Sequence, residues 1–175
     1  MLSKFSAEQL SYVELTRRES VQLNKQEIIK HFEFTIDWVE SLNTLPEEEW
    51  RSQIAKGKWS IAEIVGHLIP WDEFVLTKRI PYFLTSALLP KSPESDLVNQ
   101  QSAEESRNRS KKETIKLFMS SRKLLIQSLN DLPDELWKQD LSIGGNSISL
   151  MKYFKGLVEH DIHHIRQIQS VFGDL

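Results

Sequence analysis

Residues 149–172 read SLMKYFKGLVEHDIHHIRQIQSVF, and the apolar side chains in this stretch recur with the 3.6-residue period of an α-helix. On a helical wheel, His160 and His164 share the stripe of apolar side chains that faces a core, whereas His163 lies at the border of the polar face. Residues four apart are neighbours on a helix surface. The pattern therefore predicts two inward-facing imidazoles that can reach the same ion.

Three other stretches predict amphipathic helices, at about 24–42, from residue 61 onward, and at about 113–130. Asn24 and Ser60 are the expected N-caps of the first two, because a glutamate three residues later completes a capping box in each. Pro70 lies inside the second helix and predicts a kink or a break. The chain has only 6 glycines, which favours helices over hairpin-rich sheets, so the predicted fold class is all-α.

The remaining segments are predicted as connections within one domain, 1–175. Residues 90–112 are polar with few apolar anchors and predict a long loop with local turns. Residues 1–23 show weak helical patterning and are interpreted as an N-terminal extension. The sequence IGGN at 143–146 predicts a turn, and Gly173 is placed to end the last helix.

Composition and charge exclude several classes of protein. A chain of 175 residues, 39% hydrophobic and 27% charged, is large enough to bury a core as a soluble domain. The net charge of −3 offers no positive field for nucleic acid. No stretch is apolar enough for a membrane span or a signal peptide, so a cytoplasmic location is expected. The absence of cysteine excludes disulfides, thiolate metal sites and cysteine nucleophiles.

A short internal repeat links the two halves of the chain. Residues 41–50 read SLNTLPEEEW and residues 128–137 read SLNDLPDELW, which are identical at seven of ten positions. Each copy ends one helix and precedes a helix that carries histidine. The repeat predicts a four-helix bundle with a pseudo-twofold relation between its halves, and the alternative is two unrelated Leu-Pro turns.

His67 lies on the apolar stripe of the second helix, one turn before Trp71, so it also faces inward. If the two halves pack on each other, His67 approaches His160 and His164. Three neutral imidazole nitrogens with an open position form a catalytic-type site, and an all-nitrogen set suits Zn, Ni, Fe or Co. The alternative for His67 is a hydrogen-bonded core histidine. The other two histidines, His31 and His163, are interpreted as surface or helix-packing residues.

Two segments carry a resemblance to a known family. GKWSIAEIVGHL at 57–68 resembles the W-[ST]-x-x-E-[IL]-x-x-H-[LI] segment of the DinB-like superfamily, which includes the YfiT-like proteins. HDIHHIRQI at 160–168 is similar to the H-x-x-H-H-x-x-Q-[IL] helix of that superfamily. Arg122 and the Leu-Pro turn at 132–133 also fit its third helix and the loop that follows. The resemblance implies an up-down-down-up four-helix bundle and frequent dimerisation. It also implies a divalent metal ion bound by His67, His160 and His164.

Three functions remain open at this point. In the first, the metal ion activates a small-molecule thiol or water, which makes the protein a thiol S-transferase or a hydrolase acting on a small-molecule substrate. The thiol must be a low-molecular-weight cosubstrate because the chain has no cysteine. Asp161 and Glu63 are candidate general bases, although a capping or hydrogen-bonding role is more typical of each. In the second, the protein is a stress-related bundle that binds a metal or small ligand without turnover. In the third, it is purely structural.

A homodimer is expected from the resemblance and from an apolar cluster after the second helix. Exposed apolar side chains in such a cluster need cover, and a second copy of the chain would provide it. The cluster consists of Phe83, Leu84, Leu88 and Leu89.

Overall fold

Five long helices form most of the structure over the residues that the computed structural model describes, which are 23–85, 89–143 and 146–173. Short helical segments at Leu42–Thr44, Glu47–Arg51, Ile80–Phe83 and Asp134–Lys138 lie between them. An antiparallel hairpin of β1 (Asp140–Ile143) and β2 (Asn146–Ser149) precedes the last helix. The long helices are α1 (Lys25–Ser41), α2 (Ile61–Lys78), α3 (Ser95–Asn108), α4 (Lys111–Asp131) and α5 (Leu150–Phe172).

The predicted capping boxes define the starts of α1 and α2. The Asn24 side chain accepts from the Glu27 backbone N–H at 3.1 Å, and the Glu27 carboxylate accepts from the Asn24 N–H at 2.6 Å. Ser60 and Glu63 make the same reciprocal pair at the start of α2. Satisfied N–H groups stabilise a helix start by about 1 kcal/mol each, so these local signals fix both boundaries. Gly173 ends α5 with a positive φ of 76°.

Of the kink or break predicted at Pro70, the break does not occur, because α2 continues through this residue to Lys78. Proline removes one backbone donor and crowds one carbonyl. The rest of α2 is held on both sides, since it packs along α4 and along α3. Tertiary packing therefore outweighs the local preference.

The predicted long loop at 90–112 is wrong, because α3 occupies Ser95–Asn108. The buried face of α3 is a narrow stripe of small residues, which gives no apolar periodicity for a sequence pattern to detect. Polar contacts hold the helix in place: Asn99 accepts from the Trp71 indole N–H at 2.9 Å, and Arg107 pairs with Glu63 at 2.8 Å. The stripe consists of Ser102, Ala103 and Ser106.

The core lies between α1, α2, α4 and α5 in two apolar clusters. α1 packs along α4 and α5, while α2 and α5 are not close-packed neighbours. The space between α2 and α5 is where their histidines meet. Trp50 and Trp137, which end the two copies of the sequence repeat, are both buried. The pseudo-twofold relation between the halves stays a prediction.

Two further expectations bear on partners. None of the helices in the described ranges is long and apolar enough to cross a membrane.

In the apolar cluster after α2, Phe83 is buried, Leu89 packs partly against the core and Leu84 is 59% exposed, while Leu88 lies outside the described residues. The homodimer stays a prediction, because less of this apolar cluster is exposed than the sequence indicates. The N-terminal extension also lies outside the described residues, apart from Leu23.

We predict that Gly66→Ala destabilises the bundle, because the added methyl group would overlap the hydroxyl of Ser106 where α2 and α3 meet. Overpacking of this kind costs about 1–3 kcal/mol in the free energy of unfolding. Gly156→Ala on α5 is the matched control, since nothing lies within 4 Å of a methyl group there. It should raise stability by about 0.5–1 kcal/mol through helix propensity. Urea unfolding followed by circular dichroism measures both, and equal stabilities would contradict the close approach.

Candidate metal centre

The structure brings together the three histidines that the sequence analysis singled out. His67 projects from α2, and His160 and His164 project from adjacent turns of α5. One ring nitrogen from each lies within 4.8 Å of the others. The Nε2 atom of His160 is 3.5 Å from that of His67 and 3.2 Å from that of His164. His163 is exposed on the outer side of α5, as the helical wheel predicts.

Hydrogen bonds orient two of the three rings. The Nδ1 atom of His67 lies 2.5 Å from the carbonyl oxygen of Ile64, which can only accept, so this nitrogen carries the proton and Nε2 carries a lone pair. The Nδ1 atom of His164 lies 2.8 Å from Oε1 of Gln167 and is fixed in the same way. Both Nε2 lone pairs then face His160. A single Nε2–H on His160 can satisfy only one of them, so the cluster is short of hydrogen-bond donors.

Burial keeps the three imidazoles neutral. Burial and, to a smaller extent, the neighbouring histidines together lower the pKa of His67 to about 3 and that of His164 to about 4. Burial also lowers the pKa of His160, although Asp161 acts in the opposite direction. Neutral imidazoles with free lone pairs are the form in which histidine binds metals.

The geometry is compatible with a metal ion. Two nitrogens held tetrahedrally by one zinc ion at ~2.0–2.1 Å lie about 3.3 Å apart. The two Nε2 separations in the cluster bracket that spacing. One cation satisfies the Nε2 lone pairs of His67 and His164 together with that of His160, whose proton then lies on Nδ1. Second contacts such as those of Ile64 and Gln167 are typical of metal-binding histidines.

A buried ion cluster lies directly behind the histidines. Arg122 on α4 donates from Nε to Asp72 on α2 at 2.8 Å and from both terminal nitrogens to the carboxylate of Asp161 on α5. It also donates to Thr35 on α1 at 3.3 Å, and its guanidinium stacks over two aromatic rings. One side chain thus joins all four helices of the core.

The charges of this cluster fix its protonation states. Burial alone would raise the pKa of Asp161, but Arg122 and His31 hold it well below its usual range. Burial raises the pKa of Asp72 to about 6, against the opposing effect of Arg122. Burial alone would lower the pKa of Arg122, but the two neighbouring carboxylates have the larger effect, so the pKa is raised. Asp161 is therefore ionised and held in place by its contacts with Arg122 and His31.

Neither candidate general base is free. Asp161 is engaged by Arg122 and lies 3.3 Å from Nε2 of His31. Burial alone would raise the pKa of Glu63, but its hydrogen bonds from Ser60 and its ion pair with Arg107 together lower it. Both residues take the hydrogen-bonding or capping roles that the sequence analysis preferred for them.

Sequence reasoning missed two members of the ion cluster. His31 is fully buried on α1 against Asp161, and burial lowers its pKa, so the helix-packing interpretation is confirmed and the surface one is wrong, while its place beside Asp161 was not predicted. Asp72 received no role, although it lies four residues after Leu68 and three before Val75 on the buried stripe of α2, and an acidic residue in such a stripe is a signal that could have found it. Its partner, Arg122, is 50 residues away in sequence.

Both the sequence and the fold of this chain are similar to those of known proteins. A family model described as the DinB superfamily matches residues 16–168. A search of curated proteins found no match. The fold is similar to that of YfiT from Bacillus subtilis, described as a probable metal-dependent hydrolase with an unusual four-helix bundle topology. That match has a TM-score of 0.68 at 15% identity and covers 89% of this chain and 92% of YfiT.

The fold is also similar to that of a mycothiol-dependent maleylpyruvate isomerase. This match has a TM-score of 0.63 at 11% identity, and covers 82% of this chain and 60% of the isomerase. At these identities, the two likenesses establish the helical-bundle fold and leave the activity open.

We predict that Arg122→Met strongly destabilises the protein, because it leaves two carboxylates buried without their cation. Removing one partner of a buried ion pair costs about 3–5 kcal/mol. Glu105→Ala removes an exposed pair with Arg109 and should cost no more than about 1 kcal/mol. Arg122→Lys should fall between them, since it keeps the charge and loses the forked geometry. Urea unfolding gives the three values, and an Arg122→Met protein as stable as Glu105→Ala would contradict the role of the ion cluster.

We predict that the metal-free protein loses stability as the pH falls from about 6.5 to about 4. The unfolded histidines take up protons near their usual pKa of about 6.5, while His67 and His164 stay neutral in the folded state until much lower pH. The unfolded state binds more protons in this window, so stability is full above it and falls within it. His67→Gln should flatten the dependence, and His163→Gln should not. Urea titrations in a chelating buffer measure this, and parallel curves for wild type and His67→Gln would contradict it.

Proposed function

This chain belongs to the DinB superfamily, and we propose that it acts as a metal-dependent enzyme. In this proposal His67, His160 and His164 hold a divalent transition metal ion, such as Zn, Ni or Fe. The ion activates a small-molecule thiol or a water molecule, so the reaction is a thiol S-transfer or a hydrolysis. The observation that carries the proposal is the convergence of three neutral Nε2 atoms with too few hydrogen-bond donors among them.

The bound ion would act as a Lewis acid that lowers the pKa of a thiol or water at its open coordination position. The protein's own part is to orient the ligands. Ile64 and Gln167 fix the ring protons on Nδ1 and turn the Nε2 lone pairs inward. Trp59 packs against the His67 ring, with the ring centroids 4.9 Å apart, and shields that side of the cluster from water.

Two further points support this chemistry. The chain has no cysteine, so any thiol must be a low-molecular-weight cosubstrate. The two similar structures are named as a probable metal-dependent hydrolase and a mycothiol-dependent isomerase, so one name contains hydrolysis and the other contains dependence on a thiol. A thiol whose pKa is lowered by a metal ion needs no strong protein base to become a nucleophile at neutral pH. Thiol transfer therefore suits a site in which Asp161 and Glu63 are both held in ion pairs.

The second candidate is a bundle that binds a metal or small ligand without turnover. The observation that favours it is the same engagement of Asp161 and Glu63, because hydrolysis usually needs a general base near the nucleophile. Metal binding is common to both candidates, and only turnover separates them.

We predict that His67→Ala, His160→Ala and His164→Ala each empty the site, because two imidazoles hold a borderline cation poorly. His163→Ala is the matched control, since its side chain is exposed on the same helix and it should retain one metal ion per chain. Plasma mass spectrometry of protein purified without a histidine tag measures metal content, and circular dichroism checks that each variant is helical. A full site in His164→Ala together with an empty one in His163→Ala would contradict the assignment.

We predict that turnover depends on the metal. A panel of low-molecular-weight thiols with an aromatic electrophile, and p-nitrophenyl acetate for hydrolysis, tests the two reactions. Activity should vanish on chelation and return with Zn²⁺, Ni²⁺ or Fe²⁺, because the nucleophile forms only at the ion. Unchanged activity after metal removal, verified by elemental analysis, would contradict the proposal that the enzyme depends on a metal ion. A metal-loaded protein without turnover in either assay would favour the binding function.

A further inference from the structure

Arg79, which directly follows α2, carries a buried positive charge that has no counter-ion among the described residues. It is 1% exposed, and no carboxylate in the described ranges forms an ion pair with it. Arg122, which is equally buried, shows the usual arrangement, because two carboxylates surround its guanidinium. An unpaired buried charge is costly, so Arg79 lacks the anionic partner that a buried arginine ordinarily has.

The hydrogen-bond partners of Arg79 are neutral, and they leave one edge of its guanidinium largely unused. Nη1 donates to the backbone carbonyl oxygens of Lys78 at 3.0 Å and Pro90 at 2.7 Å. The other edge consists of Nε and Nη2, two parallel donors of the kind that a carboxylate or phosphate binds side by side. Nε has no hydrogen-bond partner, and Nη2 donates to the Ser92 hydroxyl at 2.7 Å. A two-donor edge is therefore held by a single hydroxyl.

Ser92 connects this buried edge to the protein surface. It is exposed and lies in the irregular segment that directly precedes α3. A hydroxyl can rotate and donate its own proton, so Ser92 can accept from Arg79 or donate to an incoming anion. The exposed side chains next to these two residues in sequence include the cations of Lys78 and Lys91, and the nearest acidic residue in the segment is the exposed Glu94. The approach to the guanidinium is therefore positively charged on balance.

Two aromatic side chains enclose the guanidinium of Arg79. The carbon at its centre lies 4.3 Å from the centroid of the Phe74 ring. Tyr153 of α5 lies beside it: burial raises the pKa of Tyr153, against the opposing effect of Arg79, so the phenol keeps its proton. Tyr153 itself packs edge to face on the ring of Phe83, with centroids 5.9 Å apart. Apolar surroundings of this kind strengthen the attraction between a guanidinium and an anion.

We propose that Arg79, Ser92 and Tyr153 form a binding site for an oxyanion, the carboxylate or phosphate group of a small molecule. Nε and Nη2 of Arg79 bind two oxygens of the anion, and the two hydroxyls donate to it. None of the clustered histidines belongs to this site. The proposal is therefore independent of the proposed metal-dependent function.

The first test measures anion binding to the protein after its metal has been removed by chelation and dialysis, so that no metal ion can hold the anion. Isothermal titration calorimetry is carried out with inorganic phosphate and with benzoate at constant ionic strength. We expect saturable binding of one anion per chain. Binding of phosphate alone assigns the site to a phosphate group, and binding of benzoate alone assigns it to a carboxylate. No saturable binding of either anion to wild type would overturn the proposal.

Arg79→Met should weaken this binding at least tenfold, because it removes both donors of the free edge. Circular dichroism checks that the variant is helical. Ser92→Asp keeps the arginine and places a carboxylate where Nη2 now contacts a hydroxyl, so it should also weaken binding at least tenfold. Ser52→Asp is the matched control, because Ser52 is exposed near the opposite end of α3, where Arg51 donates to the Arg107 carbonyl. It should bind like wild type, and equal binding to Ser92→Asp and Ser52→Asp would overturn the assignment.

The second test asks whether the guanidinium of Arg79 lacks an anion. Urea unfolding is measured in chloride buffer without other anions. We expect Ser92→Asp to unfold at a higher urea concentration than wild type, because the new carboxylate pairs with the buried charge. The same substitution in the Arg79→Met protein should give no such gain. A Ser92→Asp protein no more stable than wild type, or a gain that persists without Arg79, would overturn the proposal.

Discussion

The guanidinium of Arg122, buried between the carboxylates of Asp72 and Asp161, is the interaction on which the rest of the structure depends. A cation in the middle of a bundle is costly unless its partners surround it, and here they come from α2 and α5, with Thr35 of α1 as a further acceptor. Asp161 directly follows His160, and Asp72 lies five residues after His67 on α2. The ion cluster therefore sets the relative position of α2 and α5, the two helices that carry the three clustered histidines, although those helices are not close-packed neighbours. The same contacts of Arg122 therefore stabilise the bundle and position the histidines.

The site in front of this cluster depends on the opposite condition, the absence of charge. Burial holds His67, His160 and His164 neutral, and hydrogen bonds to Ile64 and Gln167 leave two lone pairs facing a third ring. Such an arrangement lacks donors, and one cation supplies what all three rings require. The ionised cluster of Arg122, Asp72 and Asp161 sets the relative position of the helices. The neutral state of the three imidazoles is the form in which histidine binds a metal ion.

Sequence patterns predicted those parts of the fold that depend on strong local signals. The capping boxes of Asn24 and Ser60 located two helix starts, and the spacing of His160 and His164 placed both imidazoles on the buried side of α5 while leaving His163 outside. The helix α3 escaped detection because it is buried through Ser102, Ala103 and Ser106, which carry no apolar signal. The break expected at Pro70 was outweighed by packing on both sides of α2. The partnership of Asp72 and His31 with Arg122 and Asp161 could not be predicted, since it exists only after distant segments meet.

The measurement that tests the metal centre most directly is X-ray absorption spectroscopy of the protein loaded with one equivalent of Zn²⁺. The three Nε2 atoms predict an inner shell with three imidazole nitrogens at about 2.0–2.1 Å and one exchangeable light atom. His160→Gln should lose one imidazole from that shell, while His163→Gln should leave the spectrum unchanged. A shell of oxygen ligands alone, or a spectrum that His160→Gln does not alter, would contradict the account.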